Sequence, residues 1–72
     1  STDPGLVPLL ERALAAVGEQ DSHTRVMLLA RLAAARRDDP GRERRVRLAD
    51  QAVAIARRIG DPVTLAAALE GR

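Results

Sequence analysis

No aromatic ring and no cysteine is available to this chain, so its core has to come from 14 Ala, ten Leu, six Val, two Ile and one Met. Side chains this small fill space only where backbones come close, as in helices packed toward the short end of the ~8–10 Å range of axis separations. Such a core is thin. Chains of this length bury only about 60% of the surface they expose when unfolded, and they usually need a disulfide, a metal or a neighbour. With no Cys and a single histidine, His23, the first two are excluded and a neighbour is expected. Apolar residues at 46% and charged residues at 31% are the balance of a folded chain. At 72 residues there is room for one domain.

After Asp3-Pro4-Gly5, turn-forming residues interrupt the chain at Gly18 to Ser22, at Asp38-Asp39-Pro40-Gly41 and at Gly60-Asp61-Pro62. The segments between them predict helices at about 6–17, 22–37, 42–59 and 62–70. In the first, Leu6, Leu9, Leu10, Ala13, Leu14 and Val17 keep the spacing of one helix face, and Pro8 is tolerated in the opening turn. The second starts at a cap, Asp21 or Ser22, and is apolar around most of its circumference, so it reads as the central helix. Only Thr24, Met27 and Arg31 are left outside contact. The third carries Leu48, Ala52, Ile55, Ala56 and Ile59 on one stripe, widened by Val46, Ala49 and Val53 to about half the circumference, a face that two neighbours must share. The fourth opens with Asp61 as cap and Pro62 in the first helical position. The fold class is all-α, with short turns making neighbouring helices antiparallel hairpins.

An internal repeat is visible. A shift of 40 residues superposes Asp21-Ser22-His23-Thr24 on Asp61-Pro62-Val63-Thr64, and a shift of 39 superposes Glu11, Ala13, Leu14 and Ala15 on Asp50, Ala52, Val53 and Ala54. The unit is a helical pair. Within it, the run from Leu48 through Ala49-Asp50-Gln51-Ala52-Val53-Ala54-Ile55-Ala56-Arg57-Arg58-Ile59-Gly60-Asp61 to Pro62, followed by Thr64-Leu65-Ala66-Ala67-Ala68-Leu69, resembles the tetratricopeptide-like repeats of large bacterial ATP-binding transcriptional regulators, of the LuxR and Streptomyces antibiotic-regulator types. Ala49, Val53 and Ala56 fit the small and bulky positions of a second repeat helix, and Pro62 lies one residue beyond the closing proline. The chain departs from that pattern in lacking aromatics and a Leu-Gly pair in the first helix, and in a period nearer 40 than ~34. The resemblance implies a fragment of an α-solenoid, one helical-repeat domain over residues 1–72 cut from a longer array. It also implies a role in protein interaction or signal transmission in a transcriptional regulator, partnered by another protein or by neighbouring repeats.

Thr24, Met27 and Arg31 are the strip that such an array would point into its groove. Leu6, Val7, Leu65 and Leu69 form apolar end faces without polar capping repeats, which predicts self-association. Eight arginines crowd residues 36–58, and a nucleic-acid interface built from Arg42, Arg44, Arg45, Arg47 and Arg58 is the alternative function. Helix-closing charges and a Glu43–Arg47 pair account for most of them without it, so DNA contact through this segment is not the leading reading. Arg45 falls inside the apolar arc, where it must snorkel or find an acid. A helix-turn-helix reader fits poorly with helices this long and with no polar recognition strip.

His23 reads as a surface or cap-adjacent residue, since no second metal ligand or catalytic partner accompanies it. Ser1 and Ser22 lack a visible base, and five scattered glycines make no phosphate cradle, so no enzyme, cofactor or metal is expected. The longest apolar run, Val26 to Ala30, is far short of a membrane span. The absence of Cys permits a reducing compartment, and a cytoplasmic location follows as the expectation.

Overall fold

The computed structural model describes residues 5–36 and 41–70. They form α1 (Leu6–Val17), α2 (His23–Ala35), α3 (Arg42–Ile59) and α4 (Pro62–Glu70), and no strand occurs among them. The predicted second helix is shorter than its pattern. Ser22 precedes it in extended conformation and its hydroxyl accepts from the Arg25 N–H at 3.1 Å, so Ser22 and not Asp21 is the cap. At the other end Arg36 leaves the helical region, and its N–H is shared between the Leu32 and Ala33 carbonyls. Arg37 and the Asp38-Asp39-Pro40 turn lie outside the described residues.

The α3–α4 corner is tight because two residues suffice to make it. Gly60 takes φ +80°, a left-handed conformation that a side chain would strain, and its N–H returns to the Ala56 carbonyl at 3.0 Å. Asp61 follows directly, accepting from the backbone N–H groups of Val63 and Thr64 and so capping α4.

Helix α2 is central, as its all-round apolarity predicts: it packs against α1, α3 and α4. The broad face of α3 is shared between α2 and α4, and among the described residues α1 packs against α2 alone. Val26, Leu29 and Ala30 of α2, Ala52, Val53, Ile55 and Ala56 of α3, and Ala68 of α4 make one contiguous core, with Leu14, Leu48 and Leu65 partly buried against it. A helix that meets a single neighbour buries a single line, which is why Leu10 is the only buried residue of α1 and Leu9 on the same predicted stripe remains 61% exposed. Val46 and Ile59, assigned by pattern to the α3 face, sit at its edges and are exposed.

The two helix starts that share the Asp-x-x-Thr spelling differ in structure. Asp21 and Asp61 hold different posts, since Ser22 caps α2 where Asp61 caps α4, and Thr64 is buried where Thr24 is exposed. The starts of α2 and α4, His23 and Pro62, lie 39 residues apart, and those of α1 and α3, Leu6 and Arg42, lie 36 apart.

Candidate functional site

Two polar junctions fix the angle between the hairpins. Arg58, in the last turn of α3, donates from Nε and a terminal nitrogen to the two carboxylate oxygens of Asp21, at 2.7 and 3.1 Å. The fork matches the carboxylate in a bidentate pair, which favours one geometry. Those hydrogen bonds, with the charges of Arg58 and Arg25 behind them, hold Asp21 below the ordinary carboxylate range. A second junction lies beside it. Thr64 Oγ1 donates to Asp61 Oδ2 at 2.7 Å, which uses its one proton, so His23 donates from Nδ1 to Thr64 Oγ1, also at 2.7 Å. His23 is thus more than a cap neighbour: it ties the first turn of α2 to the first turn of α4.

An imidazole, a hydroxyl and a carboxylate in line invite comparison with a nucleophilic triad, but the order is wrong for one. In a triad the imidazole stands between the other two and removes the hydroxyl proton. Here the hydroxyl stands in the middle, gives its proton to the carboxylate, and is fully buried. The chain of bonds can orient two helix starts and cannot present a nucleophile. Among the described residues, no group of three or more His, Cys, Asp or Glu side chains could hold a metal.

The hydrogen bond from Thr64 is the largest influence on Asp61, and with the Val63 and Thr64 N–H groups and the nearby His23 it depresses the Asp61 pKa below its ordinary 3.8. A carboxyl depressed in the folded chain contributes stability above its unfolded pKa, and that contribution is lost as pH falls through the folded value. Both Asp21 and Asp61 have this sign, so acid destabilisation should set in below about pH 4. Carboxyl NMR titration of Thr64→Val should show the Asp61 pKa rising toward its ordinary value while Asp21 stays depressed. An Asp61 titration unchanged by that substitution would remove Thr64 from the junction.

On the other side of α2, Met27, Ala30, Arg31 and Ala34 face Ala67 and Glu70 of α4 across a hollow of about 220 Å³. Met27 and Arg31, two of the three predicted groove residues, therefore line one concavity. Thr24 continues the strip one turn earlier and is exposed. Ala67 and Glu70, which face the strip from α4, were not singled out from the sequence, because helix periodicity does not show which helix a face meets. A larger cleft of about 480 Å³ opens on the far side, floored by Leu14, Leu32 and Leu48 where α1 and α3 fail to meet. Its rim is already engaged, with Arg36 paired to Glu11 at 3.4 Å and Arg25 donating to the Glu19 carbonyl.

The arginine set of the alternative function does not assemble. Arg58 is committed to Asp21 and Arg45 is half-buried. Arg42, Arg44 and Arg47 are exposed, but at about 100° per residue Arg42 lies well over a quarter-turn from the other two. Of the predicted self-association residues, Leu6 and Leu69 are exposed, Val7 is half-buried, and Leu65 is turned against the core. Among the described residues no helix is long and apolar enough to cross a membrane. Comparison with family models, curated proteins and solved structures gave no match.

Proposed function

We propose that this chain is a non-catalytic interaction module, two hairpins of a tetratricopeptide-like array that binds a protein segment and passes that binding on within a cytoplasmic transcriptional regulator. One observation carries the reading. The first helices of the two hairpins as the repeat pairs them, α2 and α4, pack together, whereas the backbones of α1 and α3 stand apart. A stack that closes on one side and splays on the other curves, and the closed side becomes its inner wall. Met27 and Arg31 lie on that inner side.

A segment laid along the wall would cover the Met27 thioether and the alanine methyls, and would pair its own charges against Arg31 and Glu70, which stand on opposite sides of the hollow. Methionine suits this task because its flexible, polarisable side chain adapts to different surfaces. A photoreactive amino acid placed at position 24 should cross-link a defined protein in cells, and Arg31→Glu should abolish the cross-link. The same probe at position 47, on the outer face of α3, should not capture it. In parallel, duplex DNA binding measured by fluorescence anisotropy at about 50 and 200 mM salt should be weak at both concentrations. Tight, steeply salt-dependent DNA binding with no cross-link from position 24 would transfer the function to the arginines of α3.

A further inference from the structure

The size of the hollow between α2 and α4 decides what can enter it. At about 220 Å³ it falls below the ~300–1,000 Å³ of pockets that enclose a free small molecule, and it suits one large side chain projecting from a docked segment. Its walls are apolar and low: Ala30, Ala34 and Ala67 contribute only methyl groups, and the one methionine of the chain, Met27, is half-buried beside them. Its rim is charged. Arg31 on α2 and Glu70 on α4 are exposed, and among the described residues neither takes part in an ion pair. Opposite charges that flank a space without closing it leave that space to a third group.

We infer that the hollow receives an aromatic side chain that carries a hydrogen-bond donor, tryptophan or tyrosine, as the anchor of the partner segment. The rim disfavours ionised anchors of either sign. A lysine or arginine drawn to Glu70 meets Arg31, an aspartate or glutamate drawn to Arg31 meets Glu70, and each must also shed water to enter. A leucine fills the space but leaves both rim charges partly desolvated with nothing to bond. An aromatic ring meets every requirement at once. Its flat faces lie against the alanine methyls, and a thioether such as that of Met27 makes a favourable contact with a ring. The Arg31 guanidinium is attracted to the face of the ring, and the indole N–H or phenol O–H donates to the Glu70 carboxylate. The charges that the segment pairs with Arg31 and Glu70 then stand outside the hollow, on either side of the anchor.

The inference rests on the reading of the α2–α4 wall as a binding surface, and the composition of the chain supplies a clean probe for it. Isotope labelling of the methionine methyl gives a single resonance, which reports from the hollow itself. The chain has no aromatic ring of its own to contribute a ring-current shift. Titration with N-acetyl-tryptophanamide should move that resonance and saturate, with a Kd of roughly 1–30 mM, and N-acetyl-tyrosinamide should do likewise. The corresponding amides of leucine, lysine and glutamate should not saturate. Ala34→Leu fills the hollow from α2 and should weaken tryptophanamide binding about tenfold or more. Glu70→Ala removes the acceptor and should weaken it about threefold or more. Both positions are exposed, so helical circular dichroism should be unchanged, and Ala54→Leu on the outer face of α3 should bind like the parent chain. A flat titration, a leucine amide that binds as well as the tryptophan amide, or an Ala34→Leu titration like that of the parent would overturn the inference. A cross-link from position 24 alongside a flat titration would overturn the aromatic anchor and leave the interaction module standing. A saturating titration without any cross-link would uphold the anchor site and count against the protein partner in cells.

Discussion

Leu29→Ala is expected to destabilise the chain by about 2–5 kcal/mol, the range found when a buried leucine is truncated and its surroundings only partly collapse. The position is the largest side chain among those completely enclosed, 1% exposed at the centre of the helix that touches all the others. In an aromatic-free core no bulky neighbour can swing into the vacated space, which favours the upper part of that range. A chain of 72 residues has only roughly 4–11 kcal/mol of stability to lose. The melting temperature should accordingly fall by roughly 8–40 °C in thermal circular dichroism. Leu9→Ala is the control, because it removes the same atoms from an exposed position and should stay within about 0.5 kcal/mol of the parent. Equal effects at the two positions would mean that α2 is not the centre of the fold.

Patterns confined to a single helix were legible in the sequence. The central place of α2 followed from apolar residues around its circumference, and the double-sided face of α3 from an arc too wide for one neighbour. Asp61-Pro62 marked the start of α4 because a carboxylate cap accepts from free N–H groups and a proline in the first turn has no N–H to leave unpaired. The junctions between helices were not legible. His23 and Thr64 are 41 residues apart and Asp21 and Arg58 are 37 apart, and both meetings depend on the crossing angle, which periodicity does not set. The cap of α2 was open between two residues, because Asp21 and Ser22 are both good caps. Ser22 takes the role because its hydroxyl reaches the Arg25 N–H, which leaves the Asp21 carboxylate to pair with Arg58.

Which residues of α4 face Met27 and Arg31 was not legible either: Ala67 and Glu70 line the same hollow, and that depends on how the two helices pack. Of the residues expected at apolar ends, Leu6 and Leu69 are exposed, while Val7 is half-buried and Leu65 packs against the core. Leu9 and Val63 are the most exposed large apolar residues, and neither was singled out, because a helical stripe shows which residues share a face and not how many neighbours that face receives.

Ala52→Leu tests the other side of the same packing argument, and it is expected to destabilise the chain by about 1–3 kcal/mol despite adding apolar volume. Ala52 has no exposed surface and sits in the core cluster with Val26, Leu29 and Ala68. The larger side chain has nowhere to go unless the helices move apart. Moving them strains the Asp21–Arg58 fork and the Thr64 chain, since both span the hairpins at short hydrogen-bond distances. Ala54→Leu, two residues on, is the matched control: it changes helix propensity equally, points to solvent, and should stay within about 0.5 kcal/mol of the parent. Urea denaturation of the pair would separate spacing from hydrophobicity. Destabilisation at Ala52 alone means that alanine sets the distance between the helices. A stabilised Ala52→Leu would instead mean that the core has room to spare, and the close approach of α2, α3 and α4 would need another cause.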